Sequence, residues 1–383
     1  MRVVLVGPSN RYESGISAHT EKTAIGLAAN NVDVGIIHLD KVVPKFIHPA
    51  KSRENKIPKT EYDDPRISVL SKVNYYHFSL SMVKKDIQRF SPDFILIQWW
   101  SIATSIQIMR LIDISRSIGI PIVLQAHETF DPSENRIAPL AIIGKKILRR
   151  ILDKTDVLAL HNDFQRTQFS EIFGQGDSKM VHAPFMKYDQ YGERIDRDIA
   201  RDKLVIKSEK TILFFGLIRD YKGLSEFIDE YAENPSLSEY CLLISGEFWD
   251  GEQEIRAKIN KISDREILLN SKYVDSEELS LYFSAADCLI LPYKRSSQSG
   301  VASIAISYGL PIVAFDVGGL SESIGEYPLK HLSMKDDFED FTKQIRNCMS
   351  IQHNLSDWGQ NETEAMEILL KSVIKTLRRN RGS

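Results

Sequence analysis

Residues 293–319 read YKRSSQSGVASIAISYGLPIVAFDVGG. Leu289, Ile290 and Leu291 lead into this stretch as a buried strand, and residues 294–299 are all polar. Gly300 then opens a helix carrying Val301, Ile304 and Ile306, which Gly309, Leu310 and Pro311 stop. The apolar run Ile312, Val313, Ala314 follows. An unbroken run of this kind marks a strand covered on both faces of a parallel sheet. A polar loop that opens a helix at the carboxyl end of a parallel strand can bind phosphate, because N–H groups and the helix dipole point at the anion. The same pattern also serves an ordinary βαβ crossover, so this stretch alone leaves both readings open.

Outward from it, short apolar runs alternate with helical patterns. On the C-terminal side of the chain they are 211–215, 242–245, 267–269, 288–291 and 311–315. On the N-terminal side they are 3–6, 34–38, 94–98, 121–126, 157–161 and 179–183, with a helix expected over 16–29. Residues 41–66 are polar and proline-dotted and read as an irregular excursion. Residues 187–207 are strongly charged and lose the apolar period, so they read as an interdomain linker. This alternation predicts α/β architecture, a doubly wound parallel sheet in each half, with a cleft where two such domains face each other.

Composition removes several classes. The 383 residues are 43% hydrophobic and 26% charged, enough for two soluble domains. A net charge of -3 gives no global field for nucleic acid. Cys241, Cys288 and Cys348 have no metal-type or paired spacing and read as reduced core residues of a cytoplasmic protein. No secretory signal is expected, since Met1 and Arg2 run straight into the first strand. The longest apolar segment, 94–112, is broken by polar residues and is not read as membrane-spanning.

Five places could carry chemistry. In FFGLIRDYKG, residues 214–223, Arg219 and Lys222 follow a strand that ends at Gly216, where two cations could clamp a diphosphate. The loop 7–16, GPSNRYESGI, sits at the first βα turn, and it is not a G-x-G-x-x-G fingerprint. His127, in QAHETF, stands at the end of strand 121–126 and could hydrogen-bond a substrate or leaving group, with Glu128 a weaker candidate. The glycine turn Gly318, Gly319 permits close backbone approach to a ligand. In residues 143–154, Ile143, Ile147, Leu148, Ile151 and Leu152 share one helical face, with Lys145, Lys146, Arg149 and Arg150 on the other. Such a helix packs on its own sheet or lies on an anionic membrane. No zinc-like cluster, Walker loop or G-x-S-x-G is present in the sequence, and Asp196-Arg197-Asp198 reads as a solvated charge run.

The order FFGLIRDYKG, ISGE, KYVDSEELSLYFSAADCLILPY and SSQSGVASIAISYGLPIVAFDVGGLSE, with SGIS and QAHETF before it, resembles the family 4 glycosyltransferases of GT-B fold. The likeness covers nearly the whole chain and is strongest over 214–322. It implies two Rossmann-like domains, here 1–190 and 191–356, with a last helix at about 357–383, near Trp358 onward, that returns to the N-terminal domain. It implies a UDP- or GDP-linked sugar donor held mainly by the C-terminal domain, a glycan or lipid-linked acceptor held mainly by the N-terminal one, transfer with retention, and no metal or other cofactor. Residue by residue, Arg219 and Lys222 match the diphosphate pair, and Gly216 ends the strand before them. Ser299, Gly300 and Val301 match the phosphate-binding helix start. Tyr273 and Val274 match the strand end against the base. Gly15 matches the loop that closes on the donor phosphate, and His127 the active-site histidine.

One departure stands out. The family's Glu-x7-Glu places its two carboxylates where this chain has Ser296 and Ile304, in an SQSG form, and Gln298 could supply part of the sugar contact. Besides a transferase, the pattern therefore leaves an epimerase or hydrolase on the same fold, and a non-catalytic nucleotide-sugar-binding protein. A polysaccharide or lipid-linked oligosaccharide pathway is expected because many relatives work there, with this chain cytoplasmic and the basic helix Lys145, Lys146, Arg149 and Arg150 offering a contact to the inner face of the plasma membrane.

Overall fold

The computed structural model describes residues 1–9, 15–40, 61–73, 79–128, 138–188, 190–350, 359 and 361–382. They fall into two compact units, Met1–Met186 with Gln360–Ser383, and Lys187–Gly359.

The N-terminal unit runs β1 (Arg2–Pro8), α1 (Gly15–Ala29), β2 (Asp33–Leu39), β3 (Ile67–Val73), α2 (Leu80–Phe90), β4 (Phe94–Trp99), α3 (Ser105–Ser117), β5 (Ile122–Ala126), α4 (Ala138–Asp153), β6 (Val157–Leu160), α5 (Asp163–Phe173) and β7 (Met180–His182). Its strands form one parallel sheet in the order β3-β2-β1-β4-β5-β6-β7. Alternate residues of β1 and β4 serve opposite faces. Val4, Val6, Ile95 and Ile97 pack with Leu111 and Leu148 on one side. Val3, Leu5, Phe94 and Leu96 pack with Leu27 on the other. Burial on both faces is why these strands read as continuous apolar runs.

The C-terminal unit runs α6 (Arg197–Leu204), β8 (Lys210–Phe215), α7 (Leu224–Glu233), β9 (Tyr240–Ser245), α8 (Glu252–Ile259), β10 (Ile267–Asn270), α9 (Leu279–Ala285), β11 (Cys288–Leu291), α10 (Gly300–Ser307), β12 (Ile312–Phe315), α11 (Leu320–Ile324), β13 (Lys330–Ser333) and α12 (Phe338–Met349). Its sheet is again parallel, in the order β10-β9-β8-β11-β12-β13. In both sheets the chain starts in the middle, winds one way, then returns to wind the other. The carboxyl ends of β1 and β4, and of β8 and β11, are therefore the switch points where loops part and leave a crevice.

The last helix, α13 (Glu362–Gly382), belongs to the first unit. Its Ala365, Met366, Leu369 and Val373 are buried against Val3, Leu5 and Leu27. Gly26 has no side chain because a Cβ there would land on Glu362 O. Lys22 Nζ pairs with Glu362 at 3.3 Å, and Asn30 Nδ2 donates to Thr363 O at 2.8 Å.

Several sequence expectations need correction. The charged stretch expected as a linker carries α6, and Asp196 caps it by accepting from Asp198 N and Ile199 N. Arg197 is only partly solvated: its side chain is 33% exposed, and its Nη2 bonds both carboxylate oxygens of buried Asp287 at 3.0 and 2.9 Å. Strands β3 and β13 were not foreseen. Both are edge strands, half-exposed and mixed in composition, so neither shows an apolar run. In α4, Leu148, Ile151 and Leu152 are buried in the unit's own core, but Ile143 is 53% exposed rather than on the packed face. Most of the excursion 41–66, Thr129 and Phe130, and Trp358 lie outside the described residues.

Candidate functional site

Each unit carries a candidate site at the carboxyl ends of its strands. In the C-terminal unit, β8 ends on Phe215 and is followed by Gly216, whose φ of +101° an L side chain rarely adopts. A Cβ at Gly216 would stand 3.0 Å from Val301 Cγ2 and 3.4 Å from Lys222 Nζ. The strand end, the lysine amine and the first turn of α10 therefore converge. The turn 220–222 is held there from behind: Gly223, at φ +70°, lies so close to Pro292 O that a Cβ would collide with it.

Lys222 is buried, with Nζ 5.2 Å from the centre of the Tyr293 ring. Burial and, second, the Arg219 charge bring its pKa down to about 7. Both influences disfavour the cation, so the amine is primed to gain from an incoming anion. The Arg219 guanidinium carbon lies 4.1 Å over the Trp249 ring, a stacked position that fixes the fork. Ser299 caps α10, its side chain accepting from Ala302 N at 3.2 Å. The first-turn N–H groups of a helix have no carbonyl within the helix to bond, which suits the start of α10 to phosphate oxygens. Gly300 is exposed, and a Cβ there would meet nothing within 4 Å.

Other expected residues sit differently. β10 ends at Asn270, so Tyr273 and Val274 lie in the following loop rather than at the strand end, Val274 buried and Tyr273 half-buried. Gln298 is half-buried, and its backbone oxygen accepts from Ser296 Oγ at 2.8 Å. Ser296 O in turn accepts from Gly319 N at 2.9 Å, tying the loop to the glycine turn after β12. Ile304, at the second family carboxylate position, is buried in the unit's core. Neither Ser296 nor Ile304 can supply a charge.

In the N-terminal unit, His127 directly follows β5 and is buried. Its N–H donates to Trp99 O at 2.9 Å, and its carbonyl accepts from Gln165 Nε2 at 3.2 Å. Two further histidines flank it. His19 lies on α1 with its ring centre 4.4 Å away, and His161, directly after β6, has its ring centre 5.0 Å away. Gly15 opens α1 and is exposed; a Cβ there would meet nothing within 4 Å. The loop before it, 10–14, lies outside the described residues.

Sequence reasoning missed four participants: Trp249 beneath Arg219, Tyr293 beneath Lys222, and His19 and His161 beside His127. His161 carried a readable signal, since it ends a strand as His127 does. His19 carried none, because only the tertiary fold brings α1 to β5.

Comparison with known proteins agrees with this geometry. Residues 209–350 match the family described as glycosyl transferases group 1. D-inositol 3-phosphate glycosyltransferase 2 of Catenulispora acidiphila is 23% identical over 262 residues, 64% of this chain and 61% of the relative, so the chain spans about three fifths of that protein's length. Among solved structures, sucrose-phosphate synthase from Thermosynechococcus elongatus superposes with a TM-score of 0.66 at 15% identity, covering 100% of this chain and 98% of that one. The Anabaena protein HepE, solved in complex with UDP, gives 0.63 at 14% identity, covering 100% and 99%. The family match is confined to residues 209–350 of the C-terminal unit, while the fold shared along the chain's whole length is the GT-B fold.

Proposed function

We propose that the chain is a retaining glycosyltransferase that moves a hexose-type sugar from a UDP- or GDP-linked donor to a hydroxyl of a glycan or lipid-linked acceptor. The observation that carries this reading is the convergence of Gly216, Lys222 and Val301 at the switch point of the C-terminal sheet. A diphosphate laid on Gly216 would meet the Lys222 amine, the Arg219 fork and the amides opening α10. The sugar–phosphate bond breaks with charge developing on the departing diphosphate, and these groups stabilise it without a metal ion. The acceptor hydroxyl attacks from the same face and passes its proton to a phosphate oxygen. By the resemblance, His127 hydrogen-bonds the donor sugar, Gly15 belongs to the loop that closes on its phosphate, and Tyr273 and Val274 lie against the base. The solved complex of Anabaena HepE with UDP supports a uridine nucleotide as the first donor to test.

Arg219→Ala tests the assignment. Turnover with a panel of UDP- and GDP-sugars should fall by at least about 100-fold, the usual cost of one transition-state donor, while the unfolding midpoint stays put. Unchanged turnover sinks it. Ser296 and Ile304 favour a second reading, a nucleotide-sugar-binding protein without transfer activity. That reading predicts a nucleotide-induced rise in midpoint with no product under any acceptor.

Among the described residues, no helix is long and apolar enough to cross a membrane. We assign the surface of α4 that carries exposed Ile142, Ile143, Lys145, Lys146, Arg149 and Arg150 to docking on an anionic bilayer at the cytoplasmic face. Liposome co-sedimentation that survives charge reversal of the four cations removes this assignment.

A further inference from the structure

His19, His127 and His161 are brought together from α1 and the ends of β5 and β6, and each is at most 4% exposed. One ring nitrogen from each lies within 4.8 Å of the others. We propose that these three histidines form a binding site for a divalent transition-metal ion of the zinc class, with a fourth position left for water or an anion.

The surrounding hydrogen bonds set the tautomers that a metal needs at His161 and His19. His161 Nδ1 is 2.9 Å from Ala183 O. A carbonyl only accepts, so Nδ1 carries the proton and Nε2 presents a lone pair. Orientation of a ligating imidazole by a backbone carbonyl on its other nitrogen is the common arrangement in metal sites. His161 Nε2 stands 3.3 Å from His127 Nδ1. Two nitrogens bound at 2.0–2.1 Å to a tetrahedral ion stand about 3.3 Å apart, so this pair already has a ligand–ligand spacing.

His19 is fixed by its own shell. Its Nδ1 is 3.2 Å from both Thr23 Oγ1 and the Gln98 amide. Thr20 Oγ1 has one proton, yet it faces Ile16 O at 2.9 Å and Gln98 Oε1 at 2.8 Å. Turning the Gln98 amide over resolves the conflict. Its NH2 then donates to Thr20, and its oxygen accepts from His19 Nδ1–H and from Thr23. His19 Nε2, which has no hydrogen-bond partner among the described residues, is left with its lone pair.

All three rings are buried, which disfavours their protonated form. Neutral imidazole is the form that binds metal. Three nitrogens with no carboxylate suit Zn, Co, Ni or Cu and not Mg or Ca. On the proposed function, an ion here takes His127 from the donor sugar, so zinc would inhibit transfer rather than support it.

The test is Zn2+ binding by equilibrium dialysis on the EDTA-treated full chain without a histidine tag, together with the visible spectrum of the Co2+ form. One ion should bind per chain, with the intense bands of four-coordinate Co2+. His19→Ala and His161→Ala should each weaken binding by about 10–100-fold, and His182→Ala, outside the cluster, should not. The wild-type Co2+ spectrum needs no variant to fold: a six-coordinate, oxygen-ligated spectrum overturns the site. So does a wild-type chain that binds no ion, or affinity that both substitutions leave intact. Binding with no effect on transfer would leave the site standing and remove only the link to catalysis.

Discussion

Replacing Lys222 by Met should stabilise the C-terminal unit while abolishing nucleotide binding. The reasoning is electrostatic. Lys222 is buried, and its pKa falls from 10.5 to about 7, first through desolvation and then through the charge of Arg219. At about 1.4 kcal/mol for each tenfold change in proton affinity, keeping this cation in the fold costs up to about 4–5 kcal/mol below pH 7. Met preserves the length and contact with Tyr293 but loses the attraction to its ring. The expected net gain is about 1–4 kcal/mol, the range seen when buried ion pairs are replaced by well-packed apolar side chains. The sign with pH is fixed. Between about 7 and 10.5 the unfolded chain holds the Lys222 proton and the folded chain does not, so the wild type gains stability as pH rises. The advantage of the variant is therefore full below pH 7, shrinks by about 1.4 kcal/mol per pH unit above it, and vanishes near 10.5. Calorimetry of both proteins across this range measures it directly. A variant no more stable than wild type below pH 7, or an advantage that does not shrink between the two pKa values, refutes the reasoning.

Other substitutions follow from single contacts. Ser299→Ala removes the cap on Ala302 N and should cost about 1 kcal/mol by denaturant unfolding, together with a weaker hold on phosphate. Gly223→Ala drives a methyl into Pro292 O at a φ of +70°. It should destabilise the C-terminal unit by more than about 3 kcal/mol, the cost of a core clash added to a left-handed backbone. Burial, then the charge of Lys72, holds His38 down from 6.5 to about 4. The unfolded chain binds that proton first, so stability is complete above 6.5 and is lost as pH falls through about 4. His38→Leu should flatten the acid limb of the unfolding free energy, taken from urea titrations across pH, by up to about 3 kcal/mol.

Much of the fold was legible because parallel strands covered on both faces leave continuous apolar runs. The expected strand at 288–291 coincides with β11, and the helix expected from Gly300 is α10. The edge strands β3 and β13 escaped because one side of an edge strand faces solvent and its composition mixes. The α6 segment escaped because its dense charge hides a helix that is anchored by Arg197 and Arg201 on buried Asp287 while Asp198, Asp202 and Lys203 stay exposed. In the candidate site, Arg219 and Lys222 were visible because they closely follow a strand-ending glycine. His127 was visible as a residue at a strand's end, but its grouping with His19 and His161 was not, since the three meet only once α1, β5 and β6 are assembled, and 34 residues separate even the nearer pair in sequence. No short ligand motif can encode such a group.

The return of α13 has a consequence for how the chain is made. Ala365, Met366, Leu369 and Val373 close one face of the N-terminal sheet, yet all of them leave the ribosome after the whole of the C-terminal unit. A domain usually folds as its own residues emerge, at about 5–20 residues per second. Here the first unit begun is the last completed. During synthesis Leu27 and its neighbours on α1 stay uncovered while the second unit folds, and this is the interval in which a chaperone, or a misplaced contact, has access to them.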